Sequence, residues 1–287
     1  MKSPPFAYIK AQSLAEVFEL LETHGDGARL LAGGQSLLAT LNLRLSSPEI
    51  LIDITGIPGL AGIAVENGVA TIGALTTHAE VERSTHIAKH LPLLAQAAPH
   101  IAHVAIRNAG TFGGSIALAD PAAEWPACCL ALDAEFVIAN KDGSRRVKAR
   151  EFFHALYTTA IGPAEVLTAI EIPVPAAASR SAFVELTRRR GDYAIVGVAA
   201  MANNSQGVLS DVQLAFLGVD QTPVLAATAM AAIEGQRLSP ATIDAAAQAL
   251  AADLDPSGDT YSTPATKLHL ARVITGRALR SLSARNA

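Results

Sequence analysis

The sequence predicts an α+β protein of two domains. Three observations predict it: two paired-glycine turns that lead into apolar elements, two short hairpin patterns, and a proline-rich break at residues 173–180 with strands and then helices beyond it. We expect residues 1–175 to form the first domain, with subdomains of about 1–55 and 56–175, and residues 178–285 to form the second.

After a short strand-like segment, Leu14, Val17, Phe18 and Leu21 share one face of a helix expected over 14–24. Ser13 and Glu16 have capping-box spacing, and Gly25 stands where a left-handed residue would end the helix. An apolar strand over 28–32 breaks at Gly33-Gly34 and enters a helix through Leu37, Leu38 and Leu41, and residues 50–54 read as another strand. Residues 62–73 read as a hairpin turning at Asn67-Gly68, a pair that tolerates positive φ. Helical stretches are expected around 77–84 and 92–103, then a second glycine turn over 110–115 ahead of a helix over 121–132. Segments 135–140 and 145–148 flank Asp142-Gly143 as a second hairpin, and a strand over 166–172 ends at the break. Beyond it, 182–187, 195–202 and 208–217 alternate as an antiparallel sheet should, and helices are expected to start at Ser239-Pro240 and Thr263-Pro264.

Composition narrows the function. Lys and Arg total 22 against 26 Asp and Glu, a net charge of -4 with no long basic stripe, so nucleic acid is not an expected partner. The amino terminus lacks a secretory pattern and no apolar run approaches a membrane span, so a soluble cytoplasmic protein is expected. Cys128 and Cys129, the only cysteines, are adjacent and cannot hold an iron-sulfur cluster by themselves. His86 and His90, and His100 and His103, have helical spacing but no H-E-x-x-H pattern, so no metal is expected. Neither Ser36 nor Ser115 lies in G-x-S-x-G, which argues against hydrolysis.

The segments Ala32-Gly33-Gly34-Gln35-Ser36 and Thr111-Phe112-Gly113-Gly114-Ser115 share paired glycines followed by a hydroxyl residue. Paired glycines let consecutive N–H groups converge on an anion, and the hydroxyl adds a donor. Together the two could wrap a dinucleotide pyrophosphate. Neither the Rossmann nor the P-loop glycine pattern is present, so such a site must be built differently.

The runs Leu30 to Leu37, Ile106 to Ser115 and Gly191-Asp192-Tyr193-Ala194 resemble the medium subunits of carbon monoxide dehydrogenase-type molybdenum hydroxylases across nearly the whole chain. The resemblance implies an FAD-binding domain of the p-cresol methylhydroxylase and vanillyl alcohol oxidase type, with two α/β subdomains, followed by a small α+β domain. It implies that Ala32, Gly33, Gly34, Gln35, Ser36 and Leu37 hold the FAD pyrophosphate together with Thr111, Phe112, Gly113, Gly114 and Ser115. Many relatives have His in place of Gln35, and Asp or Asn in place of Ser115; both residues here keep hydrogen-bonding capacity. With no His or Cys in either glycine segment, FAD is expected to be non-covalent.

Four further positions have candidate roles at the cofactor. Asp120, before Pro121, reads as a helix N-cap or as a cofactor contact. Glu124 matches the family's acidic residue that reaches the flavin, and Leu167 matches a strand position bordering the ring or serves as core. Tyr193 reads as a residue lying against the isoalloxazine or as an aromatic at a domain seam, and Arg188-Arg189-Arg190, ordinarily a solvated charge run, is by the resemblance an interface feature beside it. The resemblance also implies a small iron-sulfur subunit and a large molybdopterin subunit as partners, a dimer of heterotrimers, and FAD as the exit for electrons. The competing readings are a self-contained FAD oxidase on the same fold and a scaffold subunit that has lost FAD.

Overall fold

A computed structural model describes residues 2–283; residues 284–285 of the expected second domain lie outside the described residues. The chain opens with β1 (Ala7–Lys10), α1 (Leu14–His24), β2 (Ala28–Leu31), α2 (Leu37–Asn42) and β3 (Ile50–Asp53). The strands form a parallel sheet in the order β1-β3-β2, and the central strand is buried along its whole length, as a covered parallel strand should be. Ser13 caps α1 by accepting from the Glu16 N–H at 3.2 Å, while Glu16 accepts from Gln12 N–H at 2.7 Å, one residue further back than a reciprocal box requires.

Next come the hairpin β4 (Ile63–Glu66) and β5 (Val69–Gly73), then short helices α3 (His78–Arg83), α4 (Thr85–His90), α5 (Pro92–Ala97), α6 (Val104–Arg107), α7 (Phe112–Leu118) and α8 (Glu124–Ala131). Strands β6 (Glu135–Asn140) and β7 (Gly143–Lys148), the turn α9 (Ala149–Phe152), the small strands β8 (Phe153–Ala155) and β9 (Thr158–Thr159), and β10 (Val166–Pro173) follow. Five strands make an antiparallel sheet in the order β4-β5-β10-β6-β7. Asn67 and Gly68 turn the first hairpin with φ of 50° and 78°, the left-handed pair its dipeptide allows.

The remainder is β11 (Ser179–Thr187), β12 (Ala194–Ser205), β13 (Val208–Leu217) and the short β14 (Val224–Leu225), then α10 (Ala227–Ile233), α11 (Pro240–Asp253) and α12 (Pro264–Ser283). Its antiparallel sheet runs in the order β11-β12-β13-β14. Ser239 and Thr242 form a reciprocal capping box ahead of α11. One face of this sheet packs on its own helices through Val196, Val198, Leu214 and Phe216 with Ile243, Leu250, Ile274 and Leu279. The other face, with Phe183, Ala199, Met201, Ala215 and Leu217, joins the core built around Trp125, Phe136 and Phe152. The sheet is therefore apolar on both sides, and α8 lies against its strands β12 and β13.

The structure corrects two local expectations. Gly113 and Gly114 lie within α7, not in a turn. The helix expected from Pro121 starts at Glu124 with Ala123 as N-cap, so Asp120 caps no helix; its carboxylate instead accepts from Ala122 N–H at 2.9 Å and closes a local turn.

Candidate functional site

Gly33 ends the stretch after β2, and its glycine identity has a direct cause. A Cβ there would stand 2.1 Å from the Ala109 carbonyl oxygen and 2.7 Å from Gly110 Cα. The two glycine-bearing segments are thus in backbone contact, and a Cβ on Gly114 would lie 3.9 Å from that of Ala32. Gly34 has φ +70°, the left-handed bend that turns the chain into α2. Among the described residues, none of the five consecutive N–H groups from Gly33 to Leu37 donates to a protein acceptor. Gln35 folds back so that its Nε2 donates to the Gly33 carbonyl at 2.9 Å. The result is a backbone donor set of the kind that satisfies an anion.

The second segment is held by different means. Thr111 caps α7 by accepting from Gly114 N–H at 3.1 Å, Phe112 N–H donates to Thr76 O at 2.8 Å, and Gly113 N–H donates to Ala74 O at 2.9 Å. A Cβ on Gly113 would meet Ala74 atoms at 2.5 to 2.7 Å, so this glycine permits α7 to lie on the chain leaving β5. Helix interiors disfavour glycine by about 1 kcal/mol, and here close packing explains its presence. Ser36 and Ser115 contribute hydroxyls beside these backbone groups.

Beneath this junction lies His78, which sequence reasoning passed over. Its Nδ1 accepts the Trp125 indole N–H at 2.9 Å, and a Cβ on Gly110 would come within 2.8 Å of Nε2. Burial, and then the Arg107 guanidinium, hold its pKa down to about 4, so the ring is neutral. Arg107 is fixed by Glu82 at 2.8 Å and by the carbonyls of Ile101 and Ala102.

On the α8 side, Glu124 is buried, and its pKa is raised to about 8 by desolvation first, then by Glu185 and Asp120. Tyr193 is 70% exposed, and its phenol is raised by burial of its surroundings, then by Asp120, Glu124 and Asp192. Its loop is clamped at Gly191, whose φ is +79° and whose Cβ would stand 2.7 Å from the Ala102 carbonyl oxygen. Arg188 lies 3.9 Å over the Tyr261 ring, tying the arginine run to the carboxy-terminal part. Tyr157, also unforeseen, donates its hydroxyl to Asp120 at 3.4 Å and takes φ +53° in the turn between β8 and β9. Asp120, Glu124, Tyr157 and Tyr193 therefore form one polar and aromatic rim. Leu167 differs: its side chain is buried in β10 opposite Ile138, so only its backbone can face the site, where neighbouring Thr168 O accepts from Ala74 N–H at 2.9 Å.

The arrangement suits FAD. The Gly33 to Leu37 N–H groups meet the chemistry of a pyrophosphate, and the rim offers an aromatic face with a buried carboxyl that can donate a hydrogen bond. Comparison with known proteins gives the family. Residues 4–175 match the FAD binding domain in molybdopterin dehydrogenase, and residues 181–282 match the CO dehydrogenase flavoprotein C-terminal domain. The chain is 39% identical to 6-hydroxypseudooxynicotine dehydrogenase complex subunit alpha of Paenarthrobacter nicotinovorans, over 97% of this chain and 95% of that one. It is 36% identical to the carbon monoxide dehydrogenase medium chain of Hydrogenophaga pseudoflava, over 99% of both. Among solved structures, carbon monoxide dehydrogenase from Hydrogenophaga pseudoflava superposes with a TM-score of 0.97 at 38% identity over 100% of both chains. Quinoline 2-oxidoreductase from Pseudomonas putida 86 superposes with a TM-score of 0.93 at 36% identity over 98% of both. The chain belongs to the FAD-binding medium subunits of molybdenum hydroxylases, oxidoreductase flavoproteins whose molybdenum and iron-sulfur centres lie in partner subunits.

Proposed function

We propose that this chain is the electron exit of a cytoplasmic molybdenum hydroxylase, receiving electrons from a small iron-sulfur subunit and passing them to an external acceptor. The large molybdopterin subunit oxidises the substrate, and the complex is a dimer of heterotrimers. The observation that carries the reading is the run of five free N–H donors from Gly33 to Leu37 in backbone contact with the segment that leads into α7. In this reading Ala32 to Leu37 and Thr111 to Ser115 hold the pyrophosphate, while Asp120, Glu124, the Leu167 backbone and Tyr193 surround the flavin.

Bound FAD supplies the step between two-electron and one-electron chemistry. The chain's own residues position it. Gly33 and Gly34 turn donors toward the anion, and the Tyr193 loop, pinned at Gly191, shields the ring while keeping an exposed edge for a partner. Cys128 and Cys129 are both fully buried inside α8, and burial raises both thiols, so neither is suited to redox exchange. Similar chains serve proteins named for carbon monoxide and for quinoline, which supports placing substrate choice outside this chain.

The test is co-expression with the neighbouring genes and purification by a tag on this chain. The expected result is a complex of twice the heterotrimer mass whose FAD is reduced by substrate only when all subunits are present, and FAD released intact on acid precipitation. Reduction of FAD in the isolated chain by an organic substrate at a catalytic rate would establish the self-contained oxidase instead.

A further inference from the structure

The segment between residues 101 and 110 touches both halves of the proposed cofactor site. Its far end meets the first glycine segment, since a Cβ on Gly33 would stand 2.1 Å from the Ala109 carbonyl oxygen and 2.7 Å from Gly110 Cα. Its near end meets the Tyr193 loop, where a Cβ on Gly191 would stand 2.7 Å from the Ala102 carbonyl oxygen and 2.9 Å from His103 Nδ1. One side chain ties the segment together. Arg107, buried at the end of α6, curls back so that Nη1 donates to the carbonyls of Ile101 at 2.9 Å and Ala102 at 3.1 Å. Among the described residues, it is the only donor to the Ala102 carbonyl. Glu82, from α3, accepts from Nε at 2.8 Å and from Nη2 at 3.4 Å, so the guanidinium is held as a planar fork between a carboxylate and two carbonyls. The bend it holds is unfavourable by itself. Ala102 carries a Cβ and yet takes φ +43°, a left-handed conformation that persists only where neighbouring contacts impose it.

We propose that Arg107, aimed by Glu82, is a positioning residue for the cover of the flavin: it fixes the bend at Ala102 on which Gly191 rests, and so sets where Tyr193 stands. This rests on the placement of Tyr193 beside the flavin proposed above. Tyr193 is 70% exposed, so its direction is set by its backbone more than by packing around its ring. That backbone is a tight turn, closed by Asp192 N–H donating to Arg189 O at 3.0 Å, and a displacement at Gly191 carries Tyr193 with it. The start of the loop is fixed separately, through Arg188 on the Tyr261 ring. Because the segment that Arg107 braces also backs Gly33, the pyrophosphate donors and the ring cover keep a set spacing. Lysine cannot replace the fork. Its ammonium is a single point that meets either Glu82 or the carbonyls, whereas the guanidinium spans both.

The first measurement uses the full-length FAD-free chain, so its outcome does not depend on flavin binding. Trypsin cleaves after Arg188, Arg189 and Arg190, all exposed, at a rate set by how often the loop opens. Arg107→Lys should speed cleavage there by about tenfold or more, while cleavage at Lys141 in the β6-β7 turn stays as in wild type. Equal acceleration at both places, or none at the loop, would overturn the proposal. If that variant does not fold, Glu82→Ala carries the test: about threefold faster loop cleavage is expected, and an unchanged rate overturns it. The second measurement uses the complete complex loaded with FAD. Arg107→Lys should keep its FAD and raise flavin fluorescence by roughly twofold or more, since an aromatic ring against the flavin quenches it, and Tyr193→Ala should do the same. The double variant should be no brighter than Tyr193→Ala; additive brightening would mean that Arg107 does not act through Tyr193. Faster loop cleavage with unchanged fluorescence in both single variants would instead refute the placement of Tyr193 at the flavin and leave the support of its loop standing.

Discussion

Glu124 illustrates how one side chain's surroundings set the stability of the protein. Its carboxyl is raised from 4.5 to about 8, so between those values the folded chain holds a proton that the unfolded chain has released. Stability on this group's account is therefore greatest below the lower value and falls as pH rises to about 8, by about 1.4 kcal/mol for each unit. Glu124→Gln removes the liability. In the FAD-free chain, denaturant unfolding should find the variant close to wild type near pH 5 and increasingly more stable toward pH 8; a constant difference across that range would refute the assignment. The sequence marked Glu124 only through its resemblance to a family. Nothing local announced Tyr157, because its approach to Asp120 depends on how its small hairpin packs against the chain before α8. The hydroxyl of Tyr157, for example, reaches Asp120 across 37 residues.

Segments whose ends carry their own chemistry were the most legible. Ser13, Asn67-Gly68, Ser239 and Thr263-Pro264 each satisfy or bend the backbone locally, and each stands where it was expected. Where tertiary contact decides, local reading failed. Paired glycines in α7 look like a turn until Ala74 is seen against Gly113, and α10 begins at Ala227 behind Ala226, which offers no side-chain cap to signal it. The first glycine segment was legible as a donor loop, whereas the reason for Gly33 was not. Because its Cβ would run into the backbone at Ala109, Gly33→Ala must separate the two segments. We expect this substitution to weaken FAD binding by roughly 30-fold or more, equivalent to about 2 kcal/mol, with little change in the far-ultraviolet dichroism. Gly59→Ala is the comparison: its added methyl meets nothing within 4 Å, although φ +82° strains the backbone, so it should cost stability and spare flavin occupancy. Equal flavin loss in both would show that Gly33 acts through general destabilisation.

At the scale of the whole chain, the carboxy-terminal sheet belongs to two cores at once. Phe183, Met201 and Leu217 cover the amino-terminal core, and burying each such side chain contributes about 1.5–3 kcal/mol. A chain ending at residue 175 leaves that surface bare. It should aggregate or bind a hydrophobic dye, whereas full-length protein stays monodisperse; a soluble fragment that retains FAD would show that the first part is self-sufficient. The same wall has a consequence for biogenesis. Translation delivers residues 1–175 with their glycine segments before Phe183, the Tyr193 loop and Leu217 exist as a folded surface. Because that wall is complete only once β13 has been made, stable cofactor loading is expected to follow its synthesis, and a ribosome-arrested chain ending before Val208 should carry no FAD.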